Sequence, residues 1–439
     1  MIEHEDRSFV EPGRMQEILR RRLTRRSLLK GAGSGATALS LGSILAACGT
    51  SGGSGTGGNG GGGSESMDPS QIFSGEPGDT VEFANWPLYL DKAKDNSGDV
   101  YYPSLRLFEK ETGIHVDYQD VIQDNAEFFG KLRPQLEAGD PTGWDIIVIT
   151  NGTEFTALTQ NDWVYPLDPS LHPNFDANAA AWAKNPFYDP NNEHSMAWQS
   201  GITGIGVNKD LVNGQVTKMD DLANPDIVGT DSVGMLKGDM PDWVMINLGI
   251  DPKTSGPDEW REAADWLMKQ RDSGTVRQYY TQGYIDDLTG GNLSATMAWS
   301  GDVLYYALWS GYNNLDFVFP EDGALLWIDN MLIPANAANP VGAMKVMDFY
   351  YRPDVATMVT EWVLYMSPVP ETQGLIRKDA EQAEDQGYKG YATKLRGTAD
   401  SPYLYPSDEF LSKTSFGRQI KTDEEKQEWD SIFLPISQD

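Results

Sequence analysis

An α/β fold of two lobes is predicted for this chain of 439 residues. Three observations predict it. Strand-like apolar runs alternate with amphipathic helical stretches over roughly 360 residues, the pattern of helices packed on a sheet. The length exceeds what one hydrophobic core commonly organises. Hydrophobic residues at 39% and aromatics at 11% supply enough apolar surface for collapse, which excludes a disordered chain.

The elements follow in order. Thr80-Val81-Glu82-Phe83-Ala84-Asn85 reads as a strand that ends at a Trp86-Pro87 turn. Residues 105–111 set Leu105, Leu107 and Phe108 before a Gly113 stop and read as a helix. Residues 114–118 alternate like a second strand. Residues 145–149 are an apolar run, expected of a strand covered on both faces. Further strands are expected at 204–208, 233–236, 296–299 and 325–329. A helix over 257–270 opens with Asp258 and Glu259 at its positive end, and one over 340–351 starts on Pro340. A last helix begins at Thr422, with Glu425 three residues on as a capping box. No internal repeat is present.

Residues 1–47 read as an export signal. Thr24-Arg25-Arg26-Ser27-Leu28-Leu29-Lys30 is followed by uncharged, Gly/Ala/Ser-rich sequence to Ala47. The paired arginines resemble the twin-arginine type, and Leu45-Ala46-Ala47-Cys48 resembles a bacterial lipobox. That resemblance implies cleavage before Cys48, lipid attachment to its sulfur, and anchoring on the outer face of the membrane. Ten of the fifteen residues from 49 to 63 are glycine, so 48–77 is expected to be a flexible tether. Cys48 is the sole cysteine, which excludes a disulfide framework and multi-cysteine metal centres.

Charge narrows the function. Against 65 acidic residues stand 34 basic ones, for a net charge of −31. Loss of residues 1–47 would leave 60 acids and 26 bases. Phosphate backbones need clustered Lys and Arg, so nucleic acid is an unsuitable partner. With only His4, His115, His172 and His194, a histidine-rich metal site is not expected, and no cofactor is implied. The Asp189–Glu193 stretch lacks the glycine and spacing of a calcium loop and reads as a solvated turn.

Ligands of open α/β sheets gather past the carboxyl ends of strands. There the sequence places Trp86, Tyr89, Thr150, Asp239, Trp299, Asp302, Trp327 and Asp329, with Lys237 the one basic residue among them. Tryptophan and aspartate together suit something cationic with an apolar body. Indole faces attract cations and cover methylenes, and carboxylates give charge-assisted hydrogen bonds.

At these residues the chain resembles the spermidine/putrescine-binding proteins of bacterial ABC importers. Asn85-Trp86 with Tyr89 is similar to the family's opening. Further matches are Glu109-Lys110-Glu111-Thr112-Gly113-Ile114, Asn185-Pro186-Phe187, Gly204-Ile205-Gly206-Val207-Asn208 and Met297-Ala298-Trp299-Ser300-Gly301. Trp327-Ile328-Asp329, Leu332-Ile333-Pro334-Ala335-Asn336-Ala337 and Arg352-Pro353-Asp354-Val355-Ala356 continue them collinearly to about residue 370. The resemblance implies a type II periplasmic-binding-protein clamshell, two α/β lobes with a ligand cleft between them. Lobe 1 is expected at 78–200 plus 325–370, and lobe 2 at 201–324 plus 371–439. It also implies roles. Trp86, Tyr89, Trp299 and Trp327 match an aromatic box, and Asp329 matches the acid at one terminal ammonium. Asp239 and Asp242 match the acid pair at the other end, and Tyr365 fits a late aromatic position.

Three features depart from the family pattern: Gly152 stands where an aromatic is usual, Pro87-Leu88 replaces a polar pair, and Asp302 adds a carboxylate. They imply a pocket altered in length or shape. The expected function is a monomeric, membrane-anchored receptor that passes a polyamine to ABC permease subunits without chemistry of its own. A clamshell receptor for an oligosaccharide or another amine is the alternative. An exported glycosidase using an acid pair is the third reading, set against the lack of a G-x-S-x-G elbow, phosphate loop or activated cysteine.

Overall fold

Two long antiparallel strands run through the middle of one mixed sheet and tie its halves together. The computed structural model describes residues 68–438, residue 96 excepted, so the export signal and Cys48 lie outside the described residues. The strands are β1 (Thr80–Asn85), β2 (Ala93–Lys94), β3 (Val100–Tyr101), β4 (His115–Asp120), β5 (Ile146–Thr150) and β6 (Ser195–Asn208). They continue with β7 (Val233–Leu236), β8 (Val276–Tyr280), β9 (Ala295–Trp299), β10 (Leu315–Val318), β11 (Ala324–Leu332) and β12 (Thr414–Phe416). The main sheet has the order β4-β1-β5-β11-β6-β9-β7-β8; β10 pairs with β6, β12 pairs with β11, and β2-β3 form a separate ribbon.

The halves differ in their neighbours. Strands β4, β1 and β5 are parallel, as are β9, β7 and β8. Between them β6 pairs antiparallel with β11 through its first part and with β9 and β10 through its last. Every residue of β6 is buried. Both central strands extend well beyond the five-residue spans expected at 204–208 and 325–329. Their polar residues mask the apolar signal, since a strand covered on both faces shows no alternation. Ser200 illustrates how such residues are accommodated: its hydroxyl donates to the Trp327 carbonyl at 2.6 Å.

Helices used below are α1 (Pro103–Thr112), α2 (Asn125–Ala138), α3 (Met240–Asn247), α4 (Pro257–Asp272), α5 (Tyr284–Thr289) and α6 (Ser300–Leu304). The rest are α7 (Pro340–Phe349), α8 (Pro353–Val363), α9 (Thr372–Asp385), α10 (Lys389–Ala399) and α11 (Asp423–Phe433). Gly113 ends α1 at φ +74°, as its position suggests. Thr422 caps α11 by accepting the Glu425 N–H at 3.2 Å. The reciprocal half of that capping box is absent, because the Glu425 carboxylate takes the Lys421 N–H and the Arg418 guanidinium instead.

The core falls into two main apolar clusters. One gathers Ile202, Ile205, Met235, Trp243, Trp260, Tyr284, Met297 and Leu325. The other gathers Val81, Phe83, Ile146, Trp198, Met331, Met344, Tyr351 and Val359, and a smaller one lies behind β5 around Ile147, Ile149 and Leu132. Residues past 371, for which sequence reasoning offered no packing, form a further cluster of their own and close the first one at their end. Helices α9 and α10 bury Ile376, Ala380, Leu395 and Ala399 against Leu304 and Trp309. Trp429 of α11 stands edge-on to Trp260 at 5.2 Å, and Phe433 and Ile436 join the cluster.

Two expectations change. The tether was expected to run to residue 77, but Pro69–Ile72 form a helical turn capped by Asp68, and Phe73 is buried in the second cluster. An apolar side chain ten residues past the glycine-rich stretch is enough to dock. The Asp189 turn is also not solvated: its carboxylate is 2% exposed and takes the His194 N–H and the Ser195 hydroxyl.

Asn339 joins three elements ahead of α7. Its side chain accepts the Gly78 and Gly342 N–H groups and donates to the Gly78 and Thr80 carbonyls. Removing it strands a helix cap and strand-end groups together, so Asn339→Ala should cost roughly 2–4 kcal/mol. Urea unfolding checks this, and a loss under 1 kcal/mol would contradict it.

Candidate functional site

The site grows from a bulge. On β11, Asp329 pairs with Thr150 of β5 on one side and Gln199 of β6 on the other; the next β6 pair is Asn330 with Ala197, so Trp198 is the extra residue. Bulges re-aim side chains beside binding sites. The Thr150 hydroxyl donates to Asp329 Oδ1 at 2.6 Å, and the Tyr89 hydroxyl to Oδ2 at 2.7 Å.

Two tyrosines enter the site by the same local device, Tyr89 at Asp329 and Tyr365 at Asp302. Tyr89 follows Leu88 at φ +62°, and Tyr365 follows Leu364 at φ +58°, the left-handed end of α8. Left-handed backbone is costly for leucine, so each turn is held by its surroundings. The rings meet edge-on at 5.5 Å, and Trp327 leans on Tyr365 at 5.4 Å. Glycines make room for them. Gly201 lies directly opposite Trp327, where a Cβ would collide with the indole, and a Cβ on Gly301 would lie 2.6 Å from the Tyr365 ring.

The other half of the sheet supplies the facing wall. Asp239, beyond β7 and just ahead of α3, accepts the Thr203 hydroxyl at 2.5 Å and the Trp299 indole N–H at 3.0 Å. Asp302, in the first turn of α6, accepts the Tyr284 and Tyr365 hydroxyls, each at 3.0 Å. Tyr284 in turn takes the Trp299 backbone N–H at 2.9 Å, and their rings stand edge-on at 5.6 Å. Trp299 packs against both main apolar clusters, and the Tyr365–Asp302 bond crosses between them.

Electrostatics set this cluster apart. Burial pushes the Asp329 carboxyl up to about 6; the Thr150 and Tyr89 hydroxyls pull it down, and the charge of Asp239 raises it. Burial likewise raises Asp239 against its two hydrogen-bond donors. The named partners of both carboxylates are neutral, and no ion pair to either forms among the described residues. Such a pair of buried acids favours an added cation, which would restore full ionisation.

The expected residues divide as follows. Tyr89, Asp239, Trp299, Asp302, Trp327, Asp329 and Tyr365 come together. Trp86 stands at the edge of the second cluster with its indole N–H donated to the Val148 carbonyl at 3.1 Å. Asp242 is already engaged by backbone from the end of the chain: its Oδ1 accepts the Arg418 N–H at 2.9 Å, and burial lifts its carboxyl to about 7. The aligned fragments had paired it with Asp239 because nothing in them foretold residues 417–418 beside it. Sequence reasoning did not assign Thr203, Tyr284, Gly201 and Gly301, whose contacts are all long-range. Thr150 was seen at a strand end without a role.

Comparison with known proteins agrees with this geometry. A family model described as bacterial extracellular solute-binding protein matches residues 105–387. The chain is 29% identical over 352 residues to the spermidine/putrescine-binding periplasmic protein of Escherichia coli strain K12, covering 78% of this chain and 93% of that one. It is 30% identical over 332 residues to the putrescine-binding periplasmic protein PotF of the same organism, covering 70% and 82%. In fold it is similar to the spermidine/putrescine ABC transporter substrate-binding protein PotD of Streptococcus pneumoniae, with a TM-score of 0.64 at 21% identity over 82% of this chain and 98% of the other. The Tp0655 lipoprotein of Treponema pallidum gives 0.63 at 17% identity over 82% and 99%.

The raised Asp329 carboxyl has a consequence for stability. Its proton is held more tightly folded than unfolded, so its contribution is full below about pH 4 and is lost as pH rises through about 6. Without ligand, Asp329→Asn should therefore stabilise the protein at pH 7.5 by on the order of 2 kcal/mol, with the gain vanishing near pH 4. Thermal melts at both pH values check this; a destabilised variant at pH 7.5 would contradict it.

Proposed function

The chain belongs to the bacterial extracellular solute-binding protein family, and from that premise we propose that it captures a polyamine of the spermidine or putrescine kind and delivers it to an ABC permease. The observation that carries the reading is the pair of carboxylates of buried Asp329 and half-buried Asp239, met by hydroxyls and an indole and lacking any cationic partner among the described residues. Ammonium groups would take the places that basic side chains do not fill. The faces of Trp299, Trp327 and Tyr365 would cover the methylenes between, at roughly 0.5–2 kcal/mol per well-placed cation–π contact. The relatives named for spermidine and putrescine support the same ligand class.

The reading extends to the rest of the chain. The lobes are 78–200 plus 325–370 and 201–324 plus 371–439, and they close over the amine as a monomer. Residues 1–47 direct export by the twin-arginine type of signal, and lipid on Cys48 holds the receptor at the outer face of the membrane. No group in the cluster acts as a nucleophile or proton shuttle, so the protein releases its ligand unchanged. The net charge of −31 accelerates encounter with a polycation, an effect that salt weakens.

Titration calorimetry of the exported body with putrescine, spermidine, spermine and a maltodextrin tests the proposal. An amine should bind, more weakly as salt is added, and the maltodextrin should give no heat. Asp329→Asn should weaken the amine roughly 30-fold or more, since one side of a buried charge pair is lost. Maltodextrin binding, or an affinity untouched by Asp329→Asn, would overturn it.

A further inference from the structure

The last part of the chain lies beyond the matched residues 105–387, and one short piece of it enters the neighbourhood of the site. Strand β12 lies parallel to the start of β11, with Phe416 paired to Leu326, the residue before Trp327. That pairing carries Gly417 and Arg418 to the entrance of α3. Asp239 and Asp242 stand three residues apart there, on one face of the helix start. Asp239 faces Trp299; Asp242 faces Gly417 and Arg418.

The contact is close. The Arg418 N–H donates to Asp242 Oδ1 at 2.9 Å, and a Cβ on Gly417 would lie 2.5 Å from Oδ2 and 3.0 Å from Cγ. Only a glycine lets the backbone approach so far. The segment is also fixed from behind. The Arg418 guanidinium binds Glu425 through two nitrogens at 2.9 and 2.6 Å, donates to the Lys253 carbonyl at 2.7 Å, and lies over the Trp260 ring. With its side chain held on α4 and α11, Arg418 hydrogen-bonds Asp242 through its backbone N–H, and its guanidinium charge acts on that carboxylate from a distance.

We infer that Gly417 and Arg418 form an end wall of the ligand site and determine its length, withdrawing Asp242 from the cation-binding set so that a short diamine is preferred to a longer triamine. The inference rests on the amine reading proposed above. Asp329 and Asp239 then remain as the two termini for ammonium groups, within electrostatic reach of each other. A third ammonium would extend toward Asp242, where it meets peptide backbone and a carboxylate already engaged. Gly417 and Arg418 act through Asp242 and by occupying space; they are positioning residues.

The test compares putrescine with spermidine by calorimetry on the exported body, wild type and Gly417→Ala. In the wild type putrescine should bind at least tenfold more tightly. In Gly417→Ala the added methyl must move either the segment or the Asp242 carboxylate, and either movement breaks the Arg418 N–H bond and returns Asp242 to the cation-binding set, so the preference should fall below threefold. Spermidine binding as tightly as putrescine to the wild type would overturn the inference while leaving the amine reading intact. An unchanged ratio in a Gly417→Ala protein with wild-type melting temperature would overturn it too. Should the variant not fold, the wild-type ratio decides alone. If neither amine binds, the underlying reading fails and the inference with it.

Discussion

The interior of this protein holds negative charge that its own residues do not neutralise. Asp329 is buried and Asp239 half-buried, yet each is met only by a hydroxyl pair or a hydroxyl and an indole. Burial of unpaired carboxylate is expensive, and the raised carboxyl of Asp329 shows the cost as a retained proton. The rest of the site follows from this constraint. The bulge at Trp198, the strained Leu88 and Leu364, and the glycines at 201 and 301 all serve to bring donors and rings around those oxygens. Local strain of this kind is stable only when surrounding structure determines it, and here the two long strands β6 and β11 do so.

Much of this was legible in the sequence, for identifiable reasons. The 80–85 strand and the α1, α4, α7 and α11 starts were readable because alternation, capping and Gly or Pro punctuation are local signals. Trp299 ends its strand as read, whereas Trp327 and Asp329, read at the end of a 325–329 strand, lie inside the longer β11. The full extents of β6 and β11 were not, since Ser195, Gln199 and Thr203 in a doubly covered strand look like loop residues until their partners are known. Thr203 and Tyr284 became site residues only through pairing across 36 and 18 positions of sequence, which no local pattern encodes. The expectation for Asp242 shows the same limit from the other side. Its spacing from Asp239 is local, but the backbone that engages it arrives 176 residues later.

The carboxyl-terminal residues alter how the molecule is understood as a receptor. They pack on the first apolar cluster through Trp429, Phe433 and Ile436, and they also reach the opposite half: Asp423 of α11 lies 3.9 Å from Arg133 of α2. An exposed pair at that distance contributes little stability by itself. Its importance is positional, because α11 stands beside both halves of the sheet near the segment that meets Asp242.

The central claim is that a cation completes the ionisation of buried acids, and proton linkage measures it directly. Calorimetric titration with putrescine at pH 6, repeated in buffers of different ionisation enthalpy, reports protons exchanged on binding. The account predicts release of about half a proton at pH 6, the share Asp329 still holds there, fading toward zero at pH 8. Binding without proton release at pH 6, or with proton uptake, would contradict it.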